Sequence, residues 1–322
     1  MLSVIQIRYR VALALALPAL AAAIAYGFLE LDLADARARL AGRSATIEAS
    51  TGTIEYATAG QGRPVLVIHG AAGGFDQSLD MAGALAQHDH RLIAPSRFGY
   101  LASAAKVELT VAAQATAYIE LLDHLGVDKV AVIAISAGAW SALEFASRYP
   151  DRCGALVLLV PAAPLPPGTR NHGGALARAM FESDVLAWAG LKATRLLPGL
   201  MDGLMLGTDA SVVATASAGE KARVSQLLDH LLPMRPRAAG MAFDIKTAAS
   251  PAAIPLNRIS CPVLTVSAED DRFGTAARAR EISAGVQHGT TVVYPSGGHA
   301  LVGHYDEALR EVTAFLASQL PP

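Results

Sequence analysis

The stretch Val130-Ala131-Val132-Ile133-Ala134-Ile135-Ser136-Ala137-Gly138-Ala139-Trp140 decides the fold. Its first six residues are apolar and read as a buried strand, and the residues after Ser136 read as the start of a helix. Ser136 therefore stands on a sharp strand-to-helix turn, the arrangement of a nucleophile elbow. A serine placed there carries its hydroxyl out at the edge of the sheet, while the N–H of Ala137 at the helix start can stabilise an oxyanion. The plainer role for such a serine is to cap the helix. The strand before it and the partners found downstream favour a nucleophile, and hence acyl chemistry.

Working outward, short apolar runs at Val65–His69, Arg91–Ala94, Ala155–Val160, Val263–Ser267 and Thr291–Tyr294 read as further strands. Helical patterns separate most of them, notably Val111–Leu125, Ala137–Tyr149 and Asp306–Leu320. Strands alternating with helices predict an α/β fold with a mostly parallel sheet covered on both faces. Before them, Ala45–Ala59 alternates apolar and polar residues around Ser50-Thr51-Gly52 and predicts an antiparallel hairpin. The rhythm fails from Pro161 to about Arg258, where Pro- and Gly-rich turns enclose helical segments at Gly174–Leu197 and Val212–Leu232. This predicts a helical cap over residues 161–258, inserted into a core of residues 45–160 and 259–322. Within it Met180, Phe181, Leu186, Trp188 and Leu191 share a helical face, and Leu196, Leu197, Leu200, Met201, Leu204 and Met205 form a second apolar set. Such stripes are more often packing than substrate contacts. If some of them face the serine, the pocket is apolar.

With 322 residues, 52% of them hydrophobic and 17% charged, the chain can bury one large α/β domain or a domain with an insertion. A formal charge of −2 argues against a nucleic-acid partner. Cys153 and Cys261 are too few for a disulfide framework and adjoin predicted strands, which predicts buried thiols; a bridge between them stays open if the domain is exported. In residues 1–44, Arg8 and Arg10 precede an uncharged run from Val11 to Leu29 that is long enough to cross a bilayer. It reads most readily as a signal-anchor that places the catalytic part outside the cytoplasm. A cleaved signal, with small residues at Ala21 and Ala23 or Ala23 and Ala25, and a core helix are the alternatives. Arg37, Arg39 and Arg43 beyond the run leave its orientation open.

A serine hydroxyl needs a histidine to take its proton and a carboxylate to orient that histidine. His299, in Tyr294-Pro295-Ser296-Gly297-Gly298-His299, follows the last predicted strand, and Asp270 and Asp271 follow the strand Val263–Ser267. All would emerge at the C-terminal ends of parallel strands, where open α/β sheets place their sites. His299 sits in a glycine-flanked loop able to deliver its ring, whereas His288 and His304 read as surface residues. No His, Cys or Asp cluster has metal-ligand spacing, so neither a metal nor a cofactor is expected.

Together these motifs resemble the capped α/β-hydrolases of the esterase and carbon–carbon hydrolase type, over roughly Ala45–Leu320. The loop His69-Gly70-Ala71-Ala72-Gly73-Gly74 resembles the family's His-Gly oxyanion loop, and Ser96-Arg97-Phe98-Gly99-Tyr100 its next strand loop. Leu121-Leu122-Asp123-His124-Leu125-Gly126 and Arg148-Tyr149-Pro150-Asp151-Arg152 resemble the helix ends around the nucleophile strand. The resemblance implies an eight-stranded sheet, Asp271 as the triad acid with Asp270 as the alternative, Ala71 and Ala137 as oxyanion donors through their N–H groups, and a structural part for His69. Three departures stand out: Ala134 replaces the first glycine of the elbow, Ser96 and Leu101 replace a common Asp and Gly, and no proline follows Asp271. The implied activity is hydrolysis of an ester of a small apolar acid. Carbon–carbon bond hydrolysis or a cofactor-free perhydrolase activity is the alternative among enzymes. A ligand-binding protein that keeps the fold without turnover is the alternative outside them.

Overall fold

The computed structural model describes residues 4–165, 174–196 and 206–319. Residues Met1–Ala41 and Gly42–Pro322 form two compact units. The first is dominated by one helix, α1 (Val4–Leu40). Its segment Ala14–Leu40 is long and apolar enough to cross a membrane by length and composition, and Leu15, Leu17, Leu20, Ile24 and Phe28 are exposed along it.

In the second unit the predicted hairpin forms from β1 (Ala45–Glu48) and β2 (Gly52–Ala59). The elements that follow are β3 (Arg63–Ile68), α2 (Phe75–Ala82), β4 (His90–Pro95), the two-residue β5 (Ala104–Ala105), α3 (Val111–His124), β6 (Val130–Ile135), α4 (Gly138–Arg148) and β7 (Cys153–Leu159). Between β7 and the next strand come helices α5 (Gly174–Glu182), α6 (Asp184–Leu196), α7 (Ala210–Thr215), α8 (Ala218–Asp229) and α9 (Ala238–Ala249), with no strand among the described residues. The chain closes with β8 (Val263–Ala268), α10 (Thr275–Gly285), β9 (Gly289–Tyr294) and α11 (Tyr305–Gln319).

The sheet runs β1-β2-β4-β3-β6-β7-β8-β9, with β5 added beside β2. Its six strands from β4 to β9 along this order are parallel; the pairings of β2 are antiparallel. Side chains alternate across it as strand geometry requires. Leu66, Ile68, Val132 and Ala134 pack on one face with Leu121, Leu122, Leu143 and Phe145 from α3 and α4, and Val65, Val67, Ile133 and Ile135 pack on the other with Met81, Val312 and Leu316 from α2 and α11. All six residues of β6 are buried, which is why the central strand reads as an unbroken apolar run. Cys153 and Cys261 are free, buried thiols with their sulfurs 3.4 Å apart.

Candidate active site

The turn after β6 is built by close packing. Ser136 has φ of +50°, a left-handed conformation that costs energy in a non-glycine residue and is held by its surroundings. Its N–H donates to the Leu159 carbonyl at 2.9 Å, and its own carbonyl accepts from the N–H of Ala139 at 3.0 Å and of Ala162 at 3.1 Å. A Cβ at Gly138 would stand 2.6 Å from the His69 carbonyl and 2.8 Å from that of Ile68, so α4 can begin this close to β3 only with glycine there. At the first small position, Ala134 buries its methyl group in the core.

Three predicted residues meet at this edge. His299 Nε2 lies 2.9 Å from Ser136 Oγ, and His299 Nδ1 lies 2.8 Å from Asp271 Oδ2. The Asp271 carboxylate is fully buried and also accepts from the Thr275 hydroxyl and, at 2.9 Å, from the Phe273 N–H. Burial alone would raise its pKa. The hydrogen bond and charge of His299, with those two donors, outweigh burial and hold the carboxyl below its ordinary value. Asp270 points elsewhere: it accepts from the N–H groups of Gly298 at 2.8 Å and Gly297 at 3.3 Å, and so ties down the loop that carries His299. Phe273 stands edge-on to the His299 ring, with centroids 4.9 Å apart.

The loop after β3 faces the same serine. A Cβ at Gly70 would stand 3.1 Å from Ser136 Cβ. Among the described residues, the N–H groups of Ala71 and Ala137 donate to no backbone carbonyl. His69 is buried behind this loop with both ring nitrogens engaged. Nε2 accepts from the Arg97 N–H at 2.8 Å, so Nδ1 carries the hydrogen and donates to the Gly70 carbonyl at 2.7 Å. Burial, and then the charge of Arg97, hold its pKa well below the ordinary imidazole value. It is a neutral scaffold residue. His304 stacks on Tyr294, away from Ser136.

Long-range contacts that no sequence pattern signals surround the site. Arg97 makes a two-pronged pair with Asp244 of α9, both N–O distances being 2.6 Å. Arg237 pairs with Asp76 of α2 at 2.8 and 3.1 Å, and His230 Nδ1 lies 2.5 Å from Asp80 Oδ2. Burial opposes the charge on Arg97, but Asp244 more than restores it, so its pKa is raised. Leu206 and Gly207 accept from the N–H groups of His299 at 3.2 Å and Arg272 at 3.0 Å. The stretch between β7 and β8 thus touches both loops beside the serine. Of the apolar cap residues expected from the sequence, Leu191 is buried and Leu186 exposed, and Met180, Phe181 and Trp188 are half-buried. Leu197, Leu200, Met201, Leu204 and Met205 lie outside the described residues. A separate cavity of about 410 Å³, lined by Ser217, Glu220, Ser296, His304 and Tyr305 among others, includes none of Ser136, Asp271 and His299.

This strand order, with a serine, an acid and a histidine at the C-terminal ends of β6, β8 and β9, is that of one large hydrolase class. The profile of the alpha/beta hydrolase fold matches residues 63–303, and the chain belongs to that family. It is an enzyme of the hydrolase class. The chain is 26% identical over 271 residues to 2-hydroxy-6-oxo-6-phenylhexa-2,4-dienoate hydrolase of Burkholderia cepacia, covering 81% of this chain and 90% of that one. It is 40% identical to the uncharacterized hydrolase YcgS of Bacillus subtilis (strain 168) over 116 residues, which is 36% of this chain and 40% of YcgS. Among solved structures, a bacterial membrane phospholipase A superposes with a TM-score of 0.64 at 20% identity over 97% of this chain and 98% of that one, a likeness of fold.

Proposed function

We propose that the protein is a serine hydrolase that cleaves an ester of a small apolar acid through an acyl-enzyme. The observation that carries this reading is the unbroken chain of contacts Ser136–His299–Asp271, at 2.9 and 2.8 Å. Ser136 Oγ attacks the carbonyl carbon while His299 Nε2 takes its proton, and Asp271 orients the ring and stabilises its charged form. The N–H groups of Ala71 and Ala137 receive the oxyanion. His299 then returns the proton to the leaving alcohol and activates the water that hydrolyses the acyl-enzyme. The helices between β7 and β8 act as a cap, and α1 anchors the enzyme in a membrane with its catalytic unit outside the cytoplasm.

The Burkholderia cepacia relative supports a second reading, carbon–carbon bond hydrolysis. The substrate in that relative's name is a carboxylate and calls for a cationic partner. Arg97 and Arg237, the buried arginines nearest the oxyanion loop, are each neutralised by an aspartate, which favours an uncharged ester. A panel of p-nitrophenyl esters from acetate to palmitate, set beside a vinylogous diketone acid, separates the two. Turnover of esters alone supports the first reading, and preferred cleavage of the diketone acid supports the second.

A further inference from the structure

The proposed oxyanion donor Ala71 shares a peptide group with Gly70, whose carbonyl is unusually well held. It accepts from His69 Nδ1 at 2.7 Å, from Arg97 Nη2 at 3.0 Å and from the Gly73 N–H at 3.3 Å. The Gly70 N–H is fixed in turn by Gln77 Oε1 at 2.8 Å. Because a peptide group is planar and trans, pinning the Gly70 oxygen pins the direction of the Ala71 N–H. The hydrogen bonds donated to the oxygen also draw electron density from the nitrogen and make that N–H a stronger donor.

Arg97 in turn depends on α9. Asp244 holds both of its terminal nitrogens and also accepts from the Tyr100 hydroxyl. The backbone of α9 lies directly on the loop that carries Arg97: the Gly240 N–H donates to the Gly99 carbonyl at 2.9 Å, and a Cβ at Gly240 would stand 2.1 Å from the Tyr100 ring. The same helix brings Met241 Sδ to 2.8 Å from the Ala72 nitrogen. A buried guanidinium without its carboxylate could not keep this position.

We propose that Arg97 is a positioning residue for the oxyanion hole and that Asp244, by holding it, makes that hole depend on the seating of α9 against the core. Arg97 does not touch the reacting atoms. It acts through the Gly70–Ala71 peptide, so its contribution is felt where negative charge develops on the substrate oxygen. The proposal rests on the serine-hydrolase reading above.

The test compares Arg97→Lys, Asp244→Asn and the paired Arg97→Met/Asp244→Met, which leaves no buried charge behind, with the wild-type full chain. Active serine is titrated with a fluorophosphonate, kcat and KM for p-nitrophenyl acetate are expressed per titrated site, and affinity is measured for a trifluoromethyl ketone, whose serine adduct carries an oxyanion. In all three variants kcat per site is expected to fall about 10- to 100-fold, with KM within about 2-fold and ketone affinity reduced in step with kcat. A merely structural role would lower the fraction of titratable enzyme or the unfolding temperature and leave kcat per site unchanged. A folded paired variant with wild-type kcat and ketone affinity overturns the proposal while the serine reading stands. Wild-type protein that takes no label overturns the serine reading, and the proposal with it.

Discussion

Asp270 and Asp271 are neighbours in sequence with different partners in space. Asp271 faces His299, Thr275 and the Phe273 N–H, whereas Asp270 accepts from the loop backbone at Gly297 and Gly298. Asp271→Asn is expected to lower kcat on esters by about 10⁴-fold, because an amide cannot stabilise the charged imidazole or fix its tautomer. Asp270→Asn, whose amide oxygen can still accept from Gly298, is expected to cost less than about 10-fold; steady-state kinetics of the two variants checks both. The lowered pKa of Asp271 also sets a pH signature. A carboxyl stabilised in its ionised folded form contributes stability that is complete above the unfolded value, about 3.9, and is lost as pH falls through the lower folded value. Urea unfolding should therefore show the gap between wild type and Asp271→Asn shrinking below about pH 4. Ser136 and His299 were legible as candidates because each announces itself locally, one by an apolar strand ending on a serine and the other by a Gly-Gly-His loop. Sequence spacing could not choose between the two aspartates. Their orientations are set by the turn in which the Asp271 N–H donates to the Ala268 carbonyl, and the Gly274 N–H to that of Asp271.

At the scale of elements, the central strands were legible because both their faces are buried, whereas helices such as α2 and α10 were not. Helix α10 packs through Ala276, Ala279 and Ile282, and alanines spaced three apart among Arg and Glu make a weak apolar signal. Helix α2 has eight residues, too few to display a period. The two-residue β5 exists only because β2 offers it an edge. The pairs that tie α2 and the β4 loop to residues 230–244 join positions more than a hundred residues apart, and no local pattern could have revealed them. Arg237 is the largest fully buried side chain among the described residues, with its charge met by Asp76 and its Nε–H donating to the Pro233 carbonyl at 3.1 Å. Arg237→Met removes the guanidinium that meets the buried Asp76 carboxylate and should destabilise the second unit by about 3–5 kcal/mol, measured by urea unfolding. Adding Asp76→Leu to that variant should recover most of the loss, since that buried charge is then gone.

At the scale of the whole molecule, the chain joins a 37-residue helix that contains a long apolar run to a second unit that begins at Gly42. The apolar run from Val11 was legible by composition alone, because few soluble helices go so long without a charge. If α1 is an anchor, the full chain should stay with carbonate-washed membranes and leave them only in detergent, while residues 42–322 should be found in the soluble fraction and hydrolyse the same esters. Recovery, from cells expressing the full chain, of a soluble protein that lacks the N-terminal part of α1 would indicate a cleaved signal. The central claim, an activated serine at position 136, is tested most directly by labelling the detergent-solubilised full chain with a fluorophosphonate probe, beside a Ser136→Ala control of equal unfolding temperature. The account predicts close to one label per wild-type chain and none in the variant; a folded wild-type protein that takes no label, or a label that survives Ser136→Ala, would contradict it.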